Sequence, residues 1–202
     1  SGASTRNGGI TSGNLRVSFD KLAKRFGVEK AKAFYLEGKA ARADLFEFIN
    51  AEKIDCDLQR CGRVVGALRP ESLDGMRREA EKLNQLLNIS AVVYDRTNLP
   101  NYIDTSRYCG GMLRNDIGGI HPAKLLSGMC KIAREASVKI STQTQVLSVH
   151  RDDKKSKKLS FRVETSRGVI NAGHVISATN AYTNKSQPWL RRRLVPVISE
   201  MI

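Results

Sequence analysis

Apolar positions recur every three to four residues in several stretches of the chain, and each such stretch predicts a helix. The first helix opens at Ser18, an N-cap candidate before Phe19-Asp20-Lys21-Leu22, and breaks at Gly27. A longer one runs from about Glu29 to Glu52. Its expected apolar face is Ala33, Phe34, Leu36, Ala40, Ala41, Leu45, Phe48 and Ile49. Pro70 opens the next, Glu71 to Leu87, with Leu73, Met76, Ala80, Leu83, Leu86 and Leu87 on one side. The clearest helix has Pro122 in its first turn. Leu125, Leu126, Met129, Cys130, Ile132, Ala133 and Ala136 form its stripe.

Between and after the helices the pattern becomes β-like. Leu58 to Leu68 reads as extended around Val64-Val65, Ala91 to Tyr94 as a short strand, and Tyr108 to Arg114 as a strand around Gly110-Gly111. Asp95 to Ile103 predicts a helical turn interrupted by Pro100. Further strands are expected at Val138 to Ile140, Gln145 to His150, Leu159 to Thr165, Val169 to Ala172, His174 to Ala178 and Val195 to Ile202. A charged turn, Arg151 to Lys158, and a tight turn, Ser166-Arg167-Gly168, punctuate them. Ser1 to Asn14 is small, polar and glycine-rich and predicts no helix. Helices interleave with strands, so the fold class is α/β, or mixed α+β.

Charge changes this picture more than composition does. The chain carries 34 Lys+Arg against 20 Asp+Glu, formally +14. Such an excess points to an anionic partner: nucleic acid, a phosphate-bearing cofactor or an acidic surface. The basic clusters are Arg151 to Lys158, expected as a solvated hairpin tip, and Arg191-Arg192-Arg193. Aromatic content is only 6% and no DNA or RNA motif is present, which disfavours a nucleic-acid-binding module. No apolar run approaches the roughly 18 residues of a membrane-spanning helix. No signal-peptide pattern opens the chain, and the first residue is not methionine. Cys56, Cys61, Cys109 and Cys130 include no C-x-x-C pair. With three histidines beside them, no metal site is expected, and four reduced thiols suit a cytoplasmic protein.

Three segments have the chemistry of a site. Gly2-Ala3-Ser4-Thr5-Arg6-Asn7-Gly8-Gly9 combines glycines, two hydroxyls and one guanidinium, so its backbone N–H groups can converge on an anion. Val175 to Tyr182 is an apolar run ending in small residues, where open sheets leave room for a ligand. Gly118-Gly119-Ile120-His121-Pro122 delivers a histidine to a helix start, either as a cap or as a hydrogen-bond and proton donor.

Five segments, taken in order, are similar to one known family. They are Gly2 to Gly9, Ile54-Asp55-Cys56-Asp57, Ser106-Arg107-Tyr108, Gly118 to Pro122 and Ala178-Thr179-Asn180-Ala181-Tyr182. Together they resemble FAD-dependent oxidoreductases of the D-amino-acid oxidase type, nearest to the gamma-glutamylputrescine oxidase group. The resemblance implies part of a glutathione-reductase-like FAD domain interleaved with a β-sheet substrate domain. It divides the chain into a FAD-contacting loop (1–17), a helical segment (18–55) and substrate-domain strands and helices (56–137). A β-rich return to the FAD domain (138–182) and the start of the next substrate-domain segment (183–202) follow.

The same resemblance implies the cofactor-binding residues. Ala3, Ser4, Thr5, Arg6, Asn7, Gly8 and Gly9 would lie along the pyrophosphate and flavin, with Thr5 standing where the family commonly has glycine. Val146 would meet the adenine side through its backbone. Ala178 and Thr179, with Asn180, would sit at a strand end returning to FAD. His121 is the only catalytic candidate. The implied reaction is oxidation of the C–N bond of a small amine or amino acid, with hydride passing to flavin and electrons to O2, giving H2O2. The family's opening strand–G-x-G-x-x-G–helix unit is not encoded here: Gly8 to Gly13 has the wrong spacing. The chain is therefore expected to be the internal portion of a longer enzyme, lacking its N- and C-terminal parts and inactive alone. The alternatives are a non-catalytic remnant without FAD and the basic nucleic-acid module.

Overall fold

The computed structural model describes residues 2–151 and 160–197. The predicted charged turn beyond Arg151, Leu159, and positions 198–202 of the strand expected from Val195 lie outside the described residues. The chain divides into two compact units, Ser1–Ala136 and Ser137–Ile202.

In the first unit, α1 (Phe19–Phe26) stops at Gly27, whose φ of +87° suits glycine, and α2 (Val28–Ala51) starts at once. Ser18 occupies the N-cap position of α1, though its side chain makes no cap hydrogen bond. The buried residues of α2 are Ala31, Tyr35, Phe46 and Ile49. Most of the expected face is on the other side: Phe34 is 46% and Leu36 42% exposed, and of that set only Ile49 is buried. The reason is that apolar and charged residues are mixed around the whole circumference of α2, so periodicity alone does not choose a side. Tyr35 chooses it. Its ring packs edge-on against Phe19 at 5.7 Å, and its hydroxyl donates to the Val17 carbonyl at 3.3 Å.

Helix α3 (Glu71–Leu87) forms as predicted and buries Leu73, Ala80, Leu83 and Leu87. It ends at Asn88 in the left-handed region, φ +49°, with the Ile89 N–H returning to the Leu83 carbonyl. Beneath it lies an antiparallel sheet of β2 (Arg63–Ala67), β3 (Ala91–Asp95) and β4 (Gly110–Arg114), in the order β2-β4-β3. Every residue of β4 is buried. Met112, Ala91, Ala80, Leu83, Leu87 and Tyr35 share one core. The turn expected near Pro100 is a short 3-10 helix, Leu99–Asn101.

Two short strands, β1 (Ile10–Thr11) and β5 (Gly118–Gly119), pair antiparallel. Helix α4 (Pro122–Glu135) follows β5 at the predicted place. None of its residues is fully buried, and Leu126 and Met129 of the expected stripe are exposed.

The second unit is built on an antiparallel meander, β6 (Val146–Arg151), β7 (Phe161–Thr165) and β8 (Gly168–Ala172). The turn at Ser166-Arg167 is where the sequence put it, with Gly168 at φ +137°. Three strand expectations fail. Val138 to Ile140, His174 to Ala178 and the described part of the run from Val195 are irregular, and Ile176 is 90% exposed. Their β propensity is real, but none has a neighbouring strand to complete a ladder among the described residues. A short helix, α5 (Pro188–Arg191), lies between the last two runs.

Candidate cofactor-binding site

The glycine-rich N-terminal segment is folded by its own contacts. Ala3–Thr5 form a 3-10 turn in which the Thr5 and Arg6 N–H groups donate to the Gly2 and Ala3 carbonyls at 3.2 and 3.1 Å. Asn7 staples the turn. Its Nδ2 donates to the carbonyls of Ala3 (3.2 Å) and Ser4 (3.3 Å), and its Oδ1 accepts from Gly9 N–H at 3.0 Å. The Asn7 and Gly8 backbone N–H groups face no acceptor among the described residues. Ala3, Ser4, Arg6, Asn7 and Gly8 are exposed, Thr5 is half-buried and Gly9 is buried. An exposed turn with two free N–H donors beside a hydroxyl and a guanidinium can receive anionic oxygens.

Gly9 anchors this turn to the rest of the unit. Its φ is +65°, and a Cβ there would strike the Ile120 carbonyl oxygen. Its own carbonyl accepts from Ile120 N–H at 2.9 Å, and β1 and β5 continue the pairing. Gln59 closes the far side of β5 through two backbone hydrogen bonds with Gly119, 2.8 and 2.9 Å.

His121 follows directly. Its N–H donates to the Cys56 carbonyl at 2.7 Å, and its Nδ1 accepts from the Lys124 N–H at 3.4 Å, so the ring caps α4. Lys124 Nζ reaches Asp57 Oδ1 at 2.7 Å. That hydrogen bond to the carboxylate raises the ammonium above its ordinary pKa. The Cys56 thiol is raised too, first by burial, then by the Asp55 and Asp57 charges. Three of the five segments singled out in the sequence, Gly2 to Gly9, Ile54 to Asp57 and Gly118 to Pro122, are thus joined by hydrogen bonds.

The segment Ser106 to Tyr108 belongs to the same unit. The Tyr108 ring fills the space over Gly66 on the sheet. Ala178 and Thr179 belong to the second unit and are exposed, with Thr179 Oγ1 hydrogen-bonded to Thr183 Oγ1 at 2.7 Å. Val146, also in the second unit, opens β6 opposite Thr165.

Sequence reasoning missed the helix that supports the loop. Residues Gly9 to Leu15 lie along α2, where Gly13 and Gly38 touch backbone to backbone. A hollow of about 380 Å³ remains there, bordered by Asn7, Thr11, Arg42 and Leu45. The signal was available: an isolated glycine inside a long helical pattern marks a close approach. The buried Thr11 hydroxyl, on a residue only 6% exposed, finds no partner among the described residues. No group of three His, Cys, Asp or Glu among the described residues could hold a metal ion. No described helix is long and apolar enough to cross a membrane.

Comparison with known proteins decides what this junction belongs to. The family model described as "FAD dependent oxidoreductase" (DAO) matches residues 1–202. The chain belongs to this family. Among relatives of this FAD-dependent oxidoreductase chain, a probable oxidoreductase, OrdL, of Haemophilus influenzae is 27% identical over 208 residues. The gamma-glutamylputrescine oxidoreductase of Escherichia coli is 26% identical over 205 residues. Each alignment covers 100% of this chain and 46% of the relative, so the chain spans about half the length of the curated relatives it matches. Glycine oxidase from Geobacillus kaustophilus has the same fold over 94% of this chain and 48% of its own, with TM-score 0.72 and 18% identity. L-amino acid deaminase from Proteus vulgaris matches over 89% of this chain and 40% of its own, with TM-score 0.67 and 17% identity.

Proposed function

We propose that this chain supplies the cofactor-proximal loop and part of the substrate-carrying body of an enzyme that oxidises the C–N bond of a small amine or amino acid. The observation that supports it is the stapled turn Ala3 to Gly9, held against the start of α4 in a member of a FAD-dependent family. The names of the relatives, an oxidoreductase of gamma-glutamylputrescine and an oxidase of glycine, favour this substrate class.

The turn fits the diphosphate of FAD. Its free N–H groups at Asn7 and Gly8 can donate to phosphate oxygens, with Ser4 Oγ and the Arg6 guanidinium beside them. Ala3, Thr5 and Gly9 would carry the backbone past the cofactor. The Val146 backbone would serve the adenine side, and Ala178 and Thr179, in an irregular segment, would be further contacts. Bound FAD would supply the hydride acceptor for C–N oxidation, with an imine that hydrolyses as the organic product and O2, reduced to H2O2, as the expected final acceptor. His121, its Nδ1 held in the α4 cap, keeps Nε2 for a hydrogen bond to ligand or water. The remaining parts of the same enzyme would complete the site. The four free thiols favour a reducing, cytoplasmic setting.

The test is Arg6→Ala in a full-length enzyme containing this chain, with Arg25→Ala as a surface control. Loss of a charge-assisted contact of about 1.5–3 kcal/mol should weaken FAD retention roughly 10- to 150-fold. Flavin content is read from visible absorbance and turnover from peroxide release with amines and amino acids. Unchanged flavin content in the Arg6 variant removes that residue from the site. A colourless parent that binds no added FAD overturns the reading.

A further inference from the structure

Two guanidinium groups stack against one phenyl ring on α2. The Arg42 guanidinium lies 5.5 Å from the centroid of Phe46, and that of Arg60 lies 4.9 Å from it. Phe46 is 7% exposed and fixed in the buried face of the helix, so both cations rest on a rigid support. Neither arginine forms an ion pair among the described residues. Both border a hollow of about 720 Å³ together with Asn50, Asn115 and Glu47.

The chemistry of this hollow is one-sided. A guanidinium held over an aromatic face still has N–H donors to offer, and their planar fork matches two oxygens of a carboxylate or phosphate. Stacking also restricts the long side chain before a ligand arrives, which lowers the entropy lost on binding. Two like charges on one ring repel each other, and an anion placed between them relieves that repulsion. Asn50 and Asn115 add neutral amide donors. Glu47 is the single carboxylate of the lining, leaving the hollow at net +1.

We propose that this hollow binds a small organic anion with two acidic groups, held by forked hydrogen bonds from Arg42 and Arg60. The acidic groups can be carboxylates or phosphates, since both offer a pair of anionic oxygens that a guanidinium fork can bind. The site lies wholly in the first unit and does not depend on the flavin reading. None of residues 3 to 9 lines it.

The experiment is calorimetric titration of a full-length enzyme containing this chain, near physiological salt, with glutarate, pyrophosphate and neutral glutaramide. One of the two anions is expected to bind saturably and one-to-one, and glutaramide is not. Glutarate binding assigns the dicarboxylate class and pyrophosphate binding the phosphate class. Arg42→Gln and Arg60→Gln should each weaken binding at least about tenfold. Arg25→Gln should not. Arg25 also stacks on an aromatic ring, 4.9 Å from the Phe26 centroid, but it does so alone. Circular dichroism confirms that each variant is folded, and if Arg42→Gln is not, the exposed Arg60 decides the matter. The proposal is overturned if neither anion saturates up to about 10 mM. It is equally overturned if Arg25→Gln weakens binding as much as Arg60→Gln does.

Discussion

Gly13 and Gly38 meet backbone to backbone, each carbonyl occupying the space that a side chain on the other would need. This contact lays the segment after the proposed FAD loop onto α2 without any side chain between them. In an ordinary helix interior Gly→Ala stabilises by about 1 kcal/mol. At Gly38 the opposite sign is expected. Gly38→Ala should destabilise the chain by about 1–3 kcal/mol, because the loop must be pushed away or the helix shifted. Urea denaturation measures it. A variant as stable as the parent or more so would show that the contact yields freely.

The Arg114–Asp116 pair is the one deeply buried ion pair among the described residues. The side chains are 6% and 12% exposed, with Nη2–Oδ2 at 2.7 Å and Nε–Oδ1 at 2.9 Å. Removing the carboxylate by Asp116→Ala strands a buried guanidinium and should cost about 3–5 kcal/mol. Asp20→Ala breaks the exposed pair with Lys82, also 2.7 Å long, and should cost under about 1 kcal/mol. Equal losses of unfolding free energy in the two variants would contradict this division.

Thr11→Val replaces an orphaned hydroxyl with a methyl of similar volume. A buried hydroxyl without a partner carries a desolvation penalty of about 1–3 kcal/mol. The variant is expected to be as stable as the parent or up to about 2 kcal/mol more stable. A clear drop in melting temperature would reveal that the hydroxyl has a partner after all.

Cysteine chemistry should follow burial. Cys61 is exposed, while Cys56 is 1% exposed with its thiol pKa raised by burial and by Asp55 and Asp57. Iodoacetamide at neutral pH should label Cys61 first and Cys56 last, read by mass spectrometry. The sign for stability follows from the same shift. Folded Cys56 holds its proton to higher pH than the unfolded chain does, so its contribution is intact below the ordinary thiol pKa. That contribution fades as pH rises above it. Rapid labelling of Cys56 in the folded chain would contradict both statements.

The helices were legible because their caps and breakers are local: Gly27, Pro70 and Pro122 stand where the structure turns. The junction of Gly2 to Gly9 with Gly118 to Pro122 was legible only as two separate segments. Nothing along the chain says that Gly9 pairs with Ile120, more than a hundred residues away. Which face of α2 is buried was not legible at all. Apolar residues scattered on every side of a helix leave the choice to its neighbours, and Tyr35 decides it through a contact with Phe19 on a different helix. The runs at Val138 and Val175 were misread because strand propensity describes a residue, whereas a strand requires a partner.

Strand β4 lies between β2 and β3 in space but follows both in sequence. As the chain leaves the ribosome, β2 and β3 are both made before the strand that joins them exists. Until Arg114 has emerged, each presents an open hydrogen-bonding edge, and α3 has only part of its seat, since Met112 belongs to the same core. A five-residue segment containing Gly110 and Gly111 therefore acts as the late keystone of the first unit. Nascent chains stalled before it should be captured by chaperones or cleaved by proteases, and chains stalled well beyond it should resist both.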